Sequence, residues 1–229
     1  MVAWAITDTT ASDVVIENCA ATYSGTGATF GGGVYLADST AVWRRVVLRR
    51  NTGGRGGGLY IRCESPRACS GWHGVGRLSP RPLSVRVCIA PGSDASTFVD
   101  ATIAANTGEH EGAGVACTED ASTTFRSCNV SGNVAPSGGA LYAQSVSRCS
   151  LVESVLADNE ATDFTGGAVS VVETAVVRVD GGVLSGNKAE ERGGAAFVAG
   201  SGQLLLTGTG LLVGNRGALI GVCAPRYSP

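Results

Sequence analysis

Acidic side chains cluster at two places in this chain, E-H-E-G (Glu109 to Gly112), with Glu119 shortly after, and D-N-E (Asp158 to Glu160). Two carboxyl groups facing each other across a bond are the usual equipment for cleaving a glycoside. Several convergent oxygens would instead suit a calcium ion. Neither stretch is complete for such work. At the offsets of Asp158 and Glu160, the neighbouring asparagines carry Gly132 and Val134, then Gly186 and Lys188, so no second carboxylate recurs in register. Glu109, Glu111 and Glu119 also lack a partner in register and read as a solvated acidic turn. The two histidines, His73 and His110, have no Ser or Cys nucleophile at a useful spacing, and no G-x-S-x-G occurs. The eight cysteines show no C-x-x-C and no metal-like spacing with histidine. Their even number is compatible with disulfides in an oxidising compartment, and no pairing can be chosen from sequence. The residues therefore predict no catalytic group, no metal and no cofactor.

What the chain does repeat is an asparagine. Asn18, Asn51, Asn106, Asn133, Asn159, Asn187 and Asn215 are separated by 33, 55, 27, 26, 28 and 28 residues. A nearly fixed period in this range marks a solenoid. Three places before each asparagine stands an aliphatic residue: Val15, Leu48, Ile103, Val130, Leu156, Leu184 and Leu212. After a cluster of small residues the chain alternates. Val34, Leu59, Val115, Leu141, Val169, Ala196 and Leu219 form one inward column, and Leu36, Ile61, Cys117, Ala143, Val171, Val198 and Gly221 a second. Period two is the strand signature. A third strand-like segment precedes the aliphatic column, as in T-T-F-R-S-C-N-V (Thr123 to Val130). The prediction is an all-β chain, a right-handed parallel β-helix of seven or eight coils, in which the rest of each coil serves as the crossover between parallel strands. The seven asparagines are expected to form a structural ladder at one corner, satisfying backbone groups that the bend leaves unpaired.

Composition agrees. Thirty-four glycines among 229 residues are about twice the usual share. Hydrophobic residues at 44% can fill a core. The net charge of −2 argues against a nucleic-acid partner. A local basic cluster (Arg44, Arg45, Arg49, Arg50 and Arg55) reads as polar surface. No apolar run approaches the roughly 18 residues of a membrane helix, so no direct membrane insertion is expected.

The recurring G-G-A-L (Gly138 to Leu141), G-G-A-V (Gly166 to Val169) and G-G-A-A (Gly193 to Ala196), with L-R-R-N, I-A-A-N, V-S-G-N, L-A-D-N, L-S-G-N and L-V-G-N, resemble the short tandem motifs of the chlamydial polymorphic outer-membrane protein family. The resemblance covers nearly the whole chain outside one insertion. It implies a surface-exposed passenger of the same fold, extracellular or at the cell surface, with adhesion as its role. The chain has neither the barrel segment of that family nor a signal-peptide pattern, and it reads as a piece of a longer protein.

One domain, 1–229, is expected, interrupted at about 63–93 by a loop or a degenerate coil rich in cysteine and proline. Trp72 and His73 make that insertion a candidate binding loop. Tyr35, Tyr60, Tyr142 and Phe197 share one outward register position, a possible strip for sugar rings or a partner surface, or a face packed against a loop. The expected partners are a glycan or another surface protein, with end-to-end stacking on neighbouring repeats. The function expected is a non-catalytic structural or adhesive module. The alternative is a polysaccharide lyase or hydrolase on the same fold, which would require carboxylates clustered with Arg or Lys on one outer sheet.

Overall fold

The computed structural model describes residues 9–21, 31–37, 41–63 and 96–217. Among these there is no helix, and every strand pairing is parallel. A central coil shows the plan. Ser122–Arg126 lies in sheet I, Asn129–Ser131 in sheet II, Val134–Ala135 in sheet III and Leu141–Ala143 in sheet IV. The coils before and after stack the same strands on these, and the sheets have seven, seven, five and six described strands because the first and last coils are incomplete among the described residues. The chain is a β-solenoid of about six turns.

The count falls slightly short of the seven or eight coils expected: the long interval from Asn51 to Asn106 advances the stack only once, and the first and last coils are incomplete among the described residues. Thr52 pairs with Thr107, Leu59 with Val115 and Val42 with Thr97. Residues 64–95, including Trp72 and His73, lie outside the described residues, as do Leu219, Ile220 and Gly221.

The first repeat needs a second correction. Val15 pairs with Val47, and it is Ile16 that pairs with Leu48. Val15 is exposed, while Ile16 packs against the core. The ladder position in this coil is therefore Cys19, whose N–H donates to Asn51 Oδ1 at 3.0 Å. Asn18 sits one residue earlier, exposed and left-handed at φ 55°. With Val15 and Ile16 both aliphatic, the sequence columns fit either register, yet a slip of one residue reverses every side chain between core and solvent.

Inside, the alternation buries one column per strand. Leu48, Ile103, Val130, Leu156 and Leu184 fill the lumen from sheet II. From sheet I come Trp43, Phe98, Phe125, Leu151 and Val179 in register. Phe98 and Phe125 stack at 5.1 Å, and Trp43 meets Phe98 edge-on at 5.7 Å. Rings at these separations add to what burial alone contributes. Burying such a ring stabilises the fold by roughly 1.5–3 kcal/mol.

Between sheets III and IV each coil whose turn is among the described residues passes through a left-handed glycine. At Gly166 (φ +71°) an added Cβ would lie 2.4 Å from the Val169 carbonyl oxygen. The next glycine, Gly167, has a different reason: its Cβ would meet the Gly194 oxygen of the following coil at 2.3 Å. The repeated Gly-Gly thus joins a backbone conformation to a close approach between coils.

Candidate functional site

The asparagine corner is buried and closed. Asn51, Asn106, Asn133, Asn159 and Asn187 have no exposed surface. From Asn106 onward each Oδ1 accepts from the backbone N–H and the carboxamide of the preceding coil's asparagine, and Asn51 Oδ1 accepts from the Cys19 N–H. For Asn133 these bonds, from Asn106, are 3.0 and 2.9 Å. Its own Nδ2 donates to Ile103 O at 3.0 Å and to Asn159 Oδ1 at 2.9 Å. Two acceptors and two donors are all a carboxamide has, so nothing remains for a ligand. Asn215 ends the described ladder, half-buried, donating to Leu184 O at 2.8 Å. The site lies elsewhere.

On the outer face of sheet IV, Tyr35, Tyr60, Ala116, Tyr142, Ser170 and Phe197 occupy one register column. Tyr35 and Tyr60 stack at 5.5 Å, almost wholly buried, and Tyr60 Oη lies 3.0 Å from Thr118 Oγ1. Beside them Arg62 and Glu119 form an ion pair. Ala116 interrupts the column, Tyr142 is 9% exposed, Ser170 is fully buried and Phe197 half-buried. The four predicted aromatics thus make a covered pair and two separated rings instead of a continuous strip.

Around Tyr142 the face becomes a groove of about 290 Å³. Its floor is Tyr142, Ser170 and Val172. Its walls come from the segments joining sheets III and IV, which vary in length because they lie outside the stacked strands. Glu109–Glu111 stands on one side and Asp163–Thr165 on the other, with the shorter Pro136–Ser137 of the intervening coil between them. Phe164 stands at the rim, 54% exposed. Burial, and secondarily the Glu111 carboxylate, push the Tyr142 phenol up to about 12, so it keeps its proton at neutral pH. Arg55 Nε holds Glu111 Oε2 at 2.6 Å. Ser170 Oγ is buried without a hydrogen-bond partner, and a buried hydroxyl in that state costs about 1–3 kcal/mol.

Of the acidic residues singled out above, Glu109 and Glu111 reach this groove, with His110. Glu119 is held away by Arg62, and Glu160 bonds Lys188 at 2.5 Å across coils. Asp158 occupies the left-handed turn before Asn159. Arg45 and Arg49 of the basic cluster are paired with Asp13 and Glu17 of the preceding coil. The hydrogen-bonded guanidinium of Arg45 holds the Asp13 carboxyl below its ordinary range. Asp163, Phe164 and Ser170 are new to the site. For Asp163 and Phe164 the signal was one of length: T-D-F-T is the longest of the segments joining sheets III and IV among the described coils, and it carries a phenylalanine where its counterparts are polar or small.

Among the described residues no group of three or more His, Cys, Asp or Glu could hold a metal ion. Cys19, Cys117, Cys128 and Cys149 are free thiols. Burial pushes the Cys128 thiol up to about 11. No protein-family model matches the chain, and no curated protein or solved structure matches it either.

Proposed function

We propose that the chain is a non-catalytic structural or adhesive β-solenoid module of a surface or secreted protein, binding a glycan or protein through the outer face of sheet IV. The observation that carries this reading is the groove. It combines an exposed aromatic ring, carboxylates on two walls and a buried hydroxyl with no partner, in a molecule whose other repeated polar device is saturated. The G-G-A-[VLA] and aliphatic-x-x-Asn motifs, which resemble the polymorphic outer-membrane protein repeats, support a surface location and an adhesive role. The test is binding of the purified chain to cultured cells and to a glycan array, compared with the double variant Asp163→Asn, Phe164→Ala. Loss of binding with an unchanged unfolding midpoint supports the reading, and undiminished binding discards the groove.

A second reading, a polysaccharide lyase or hydrolase, rests on a separate observation. Glu109, Glu111 and Asp163, distant in sequence, line one groove, and Arg55 stands beside Glu111. Such an enzyme would release new reducing or unsaturated ends from a polysaccharide, and Glu109→Gln or Asp163→Asn would abolish that release. Absence of product across neutral, acidic and amino polysaccharides removes this reading.

A further inference from the structure

Resting on the reading of the sheet IV groove as a binding site, we propose that its ligand is a pyranose carrying a free amine, a hexosamine unit within a glycan. Three features converge. The first is charge. Glu109, Glu111 and Asp163 line the groove, and Arg55 occupies Glu111. Glu109 and Asp163 have no ion-pair partner among the described residues. Two unpaired carboxylates on facing walls favour a cation, and a partly enclosed setting strengthens the attraction over bulk water.

The second is the floor. Ser170 Oγ, fully buried and unpartnered, lies under the groove, with the protonated Tyr142 beside it. A buried hydroxyl without a partner is satisfied by a ligand that brings its own hydroxyl or ether oxygen. The third is Phe164, the one exposed large aromatic among the described residues, at the rim. A flat apolar ring suits the C–H face of a sugar.

Size and arrangement separate a sugar from a basic side chain. About 290 Å³ lies at the small end of ligand sites, roughly 300–1,000 Å³, and suits one ring. A lysine has a single polar end, which can reach the carboxylates on the walls or the hydroxyl at the floor but not both. A hexosamine carries an ammonium and several hydroxyls around one ring, with an apolar face between them.

The experiment titrates the full chain with β-1,4-linked glucosamine hexamer at mildly acidic pH, where the sugar amine is charged. The fully N-acetylated hexamer, cellohexaose and hexalysine are titrated alongside. The glucosamine hexamer should bind about tenfold more tightly than each of the others, the size of one charge-assisted contact. Glu109→Gln with Asp163→Asn should remove that preference, and Phe164→Ala should weaken binding about tenfold. Ser170→Ala should weaken it about threefold, the loss of one neutral hydrogen bond. The fold tolerates this change, since Ala116 already holds the same column.

Equal or tighter binding of hexalysine overturns the proposal in favour of a basic peptide. Equal binding of the N-acetylated or neutral sugar, still sensitive to Phe164→Ala, overturns the amine while keeping the groove as a glycan site. No binding of any sugar, with cell or protein binding lost in Phe164→Ala, overturns the sugar and keeps the adhesive module. Binding of every probe unaffected by all these substitutions overturns both.

Discussion

The two corners that bracket sheet III follow different rules. Before it, coil after coil from Asn51 to Asn215 presents one side chain, which from Asn51 to Asn187 is locked to the coil on either side. After it, successive coils use Gly54-Arg55, Glu109-His110-Glu111, Pro136-Ser137, Thr162-Asp163-Phe164-Thr165 and Glu190-Glu191-Arg192. The first corner has buried backbone groups that only a carboxamide of that length can satisfy, so its residue is fixed. The second pairs its backbone with neighbouring coils through main-chain groups alone, as Glu109 N–H does with Gly53 O and Phe164 N–H with Pro136 O, and the glycine that follows makes the turn, so no particular side chain or length is required. The groove arises where that freedom is used most, between the two longer segments that flank a short one.

The largest effect should come from the fixed corner. Asn133→Ala orphans the Ile103 carbonyl and both Asn106 donors in a fully buried site. At about 1–3 kcal/mol for each buried group left unpaired, a loss of roughly 3 kcal/mol or more is expected in urea unfolding. Asn215→Ala, at the half-buried end of the ladder, should cost only about 1 kcal/mol. Equal losses at the two positions would break the claim that the ladder matters through its burial.

Gly166→Ala comes next. A Cβ 2.4 Å from a backbone oxygen at φ +71° should cost about 2 kcal/mol, visible as a lower unfolding midpoint. It tests whether the variable corner keeps one immovable point. Replacing Thr162–Thr165 with Pro-Ser, the two-residue solution of the preceding coil, should then shift stability by less than about 1 kcal/mol. The same change should remove the groove's binding, as titration with the probe sugars would show. A large loss of stability would mean that the variable segment also carries the fold.

The smallest effect concerns pH. From Asn51 to Asn215 the ladder corner holds no titratable side chain, whereas the groove holds Tyr142, raised from 10.0 to about 12. The folded state retains the phenol proton more tightly than the unfolded chain does. This contribution to stability is therefore complete below pH 10.0 and is lost as pH rises toward about 12. Unfolding curves of the native chain and of Tyr142→Phe should run parallel below that window and diverge within it. Cys128, raised from 9.0 to about 11, adds its own alkaline loss in both proteins and cancels in the comparison. Parallel curves throughout would mean that Tyr142 is more solvated than its 9% exposure indicates.

Most of the lumen could be read from the chain, because a buried column must be apolar in every coil. Leu48, Ile103, Val130, Leu156 and Leu184 needed only a count of residues to be aligned. The reading failed at Val15, where two adjacent aliphatics satisfied the same column and only backbone pairing chose Ile16. It also passed over the Trp43, Phe98 and Phe125 stack. Those rings lie in strands without a glycine or asparagine marker, and the long interval hides that Trp43 and Phe98 are one coil apart. The groove was less legible still. Glu109 and Asp163 belong to segments two coils apart, and what unites them is the brevity of Pro136-Ser137 between. Loop length carries no periodic signal, and Ser170 became notable only once its surroundings left its hydroxyl alone.

The ladder of carboxamides also has a direction, since each oxygen accepts from the coil before it and each nitrogen donates to the oxygen of the coil after it. A copy of any whole coil, spliced in at its asparagine, meets the same partners above and below as the original did. Duplication or deletion of 26 to 28 residues is thus a change the ladder absorbs without further substitution. The heritable unit is one coil together with its own stretch between sheets III and IV. A lineage of such proteins can lengthen, shorten and reorder the outer face of sheet IV by recombination, with the buried amides checking that every join is in frame.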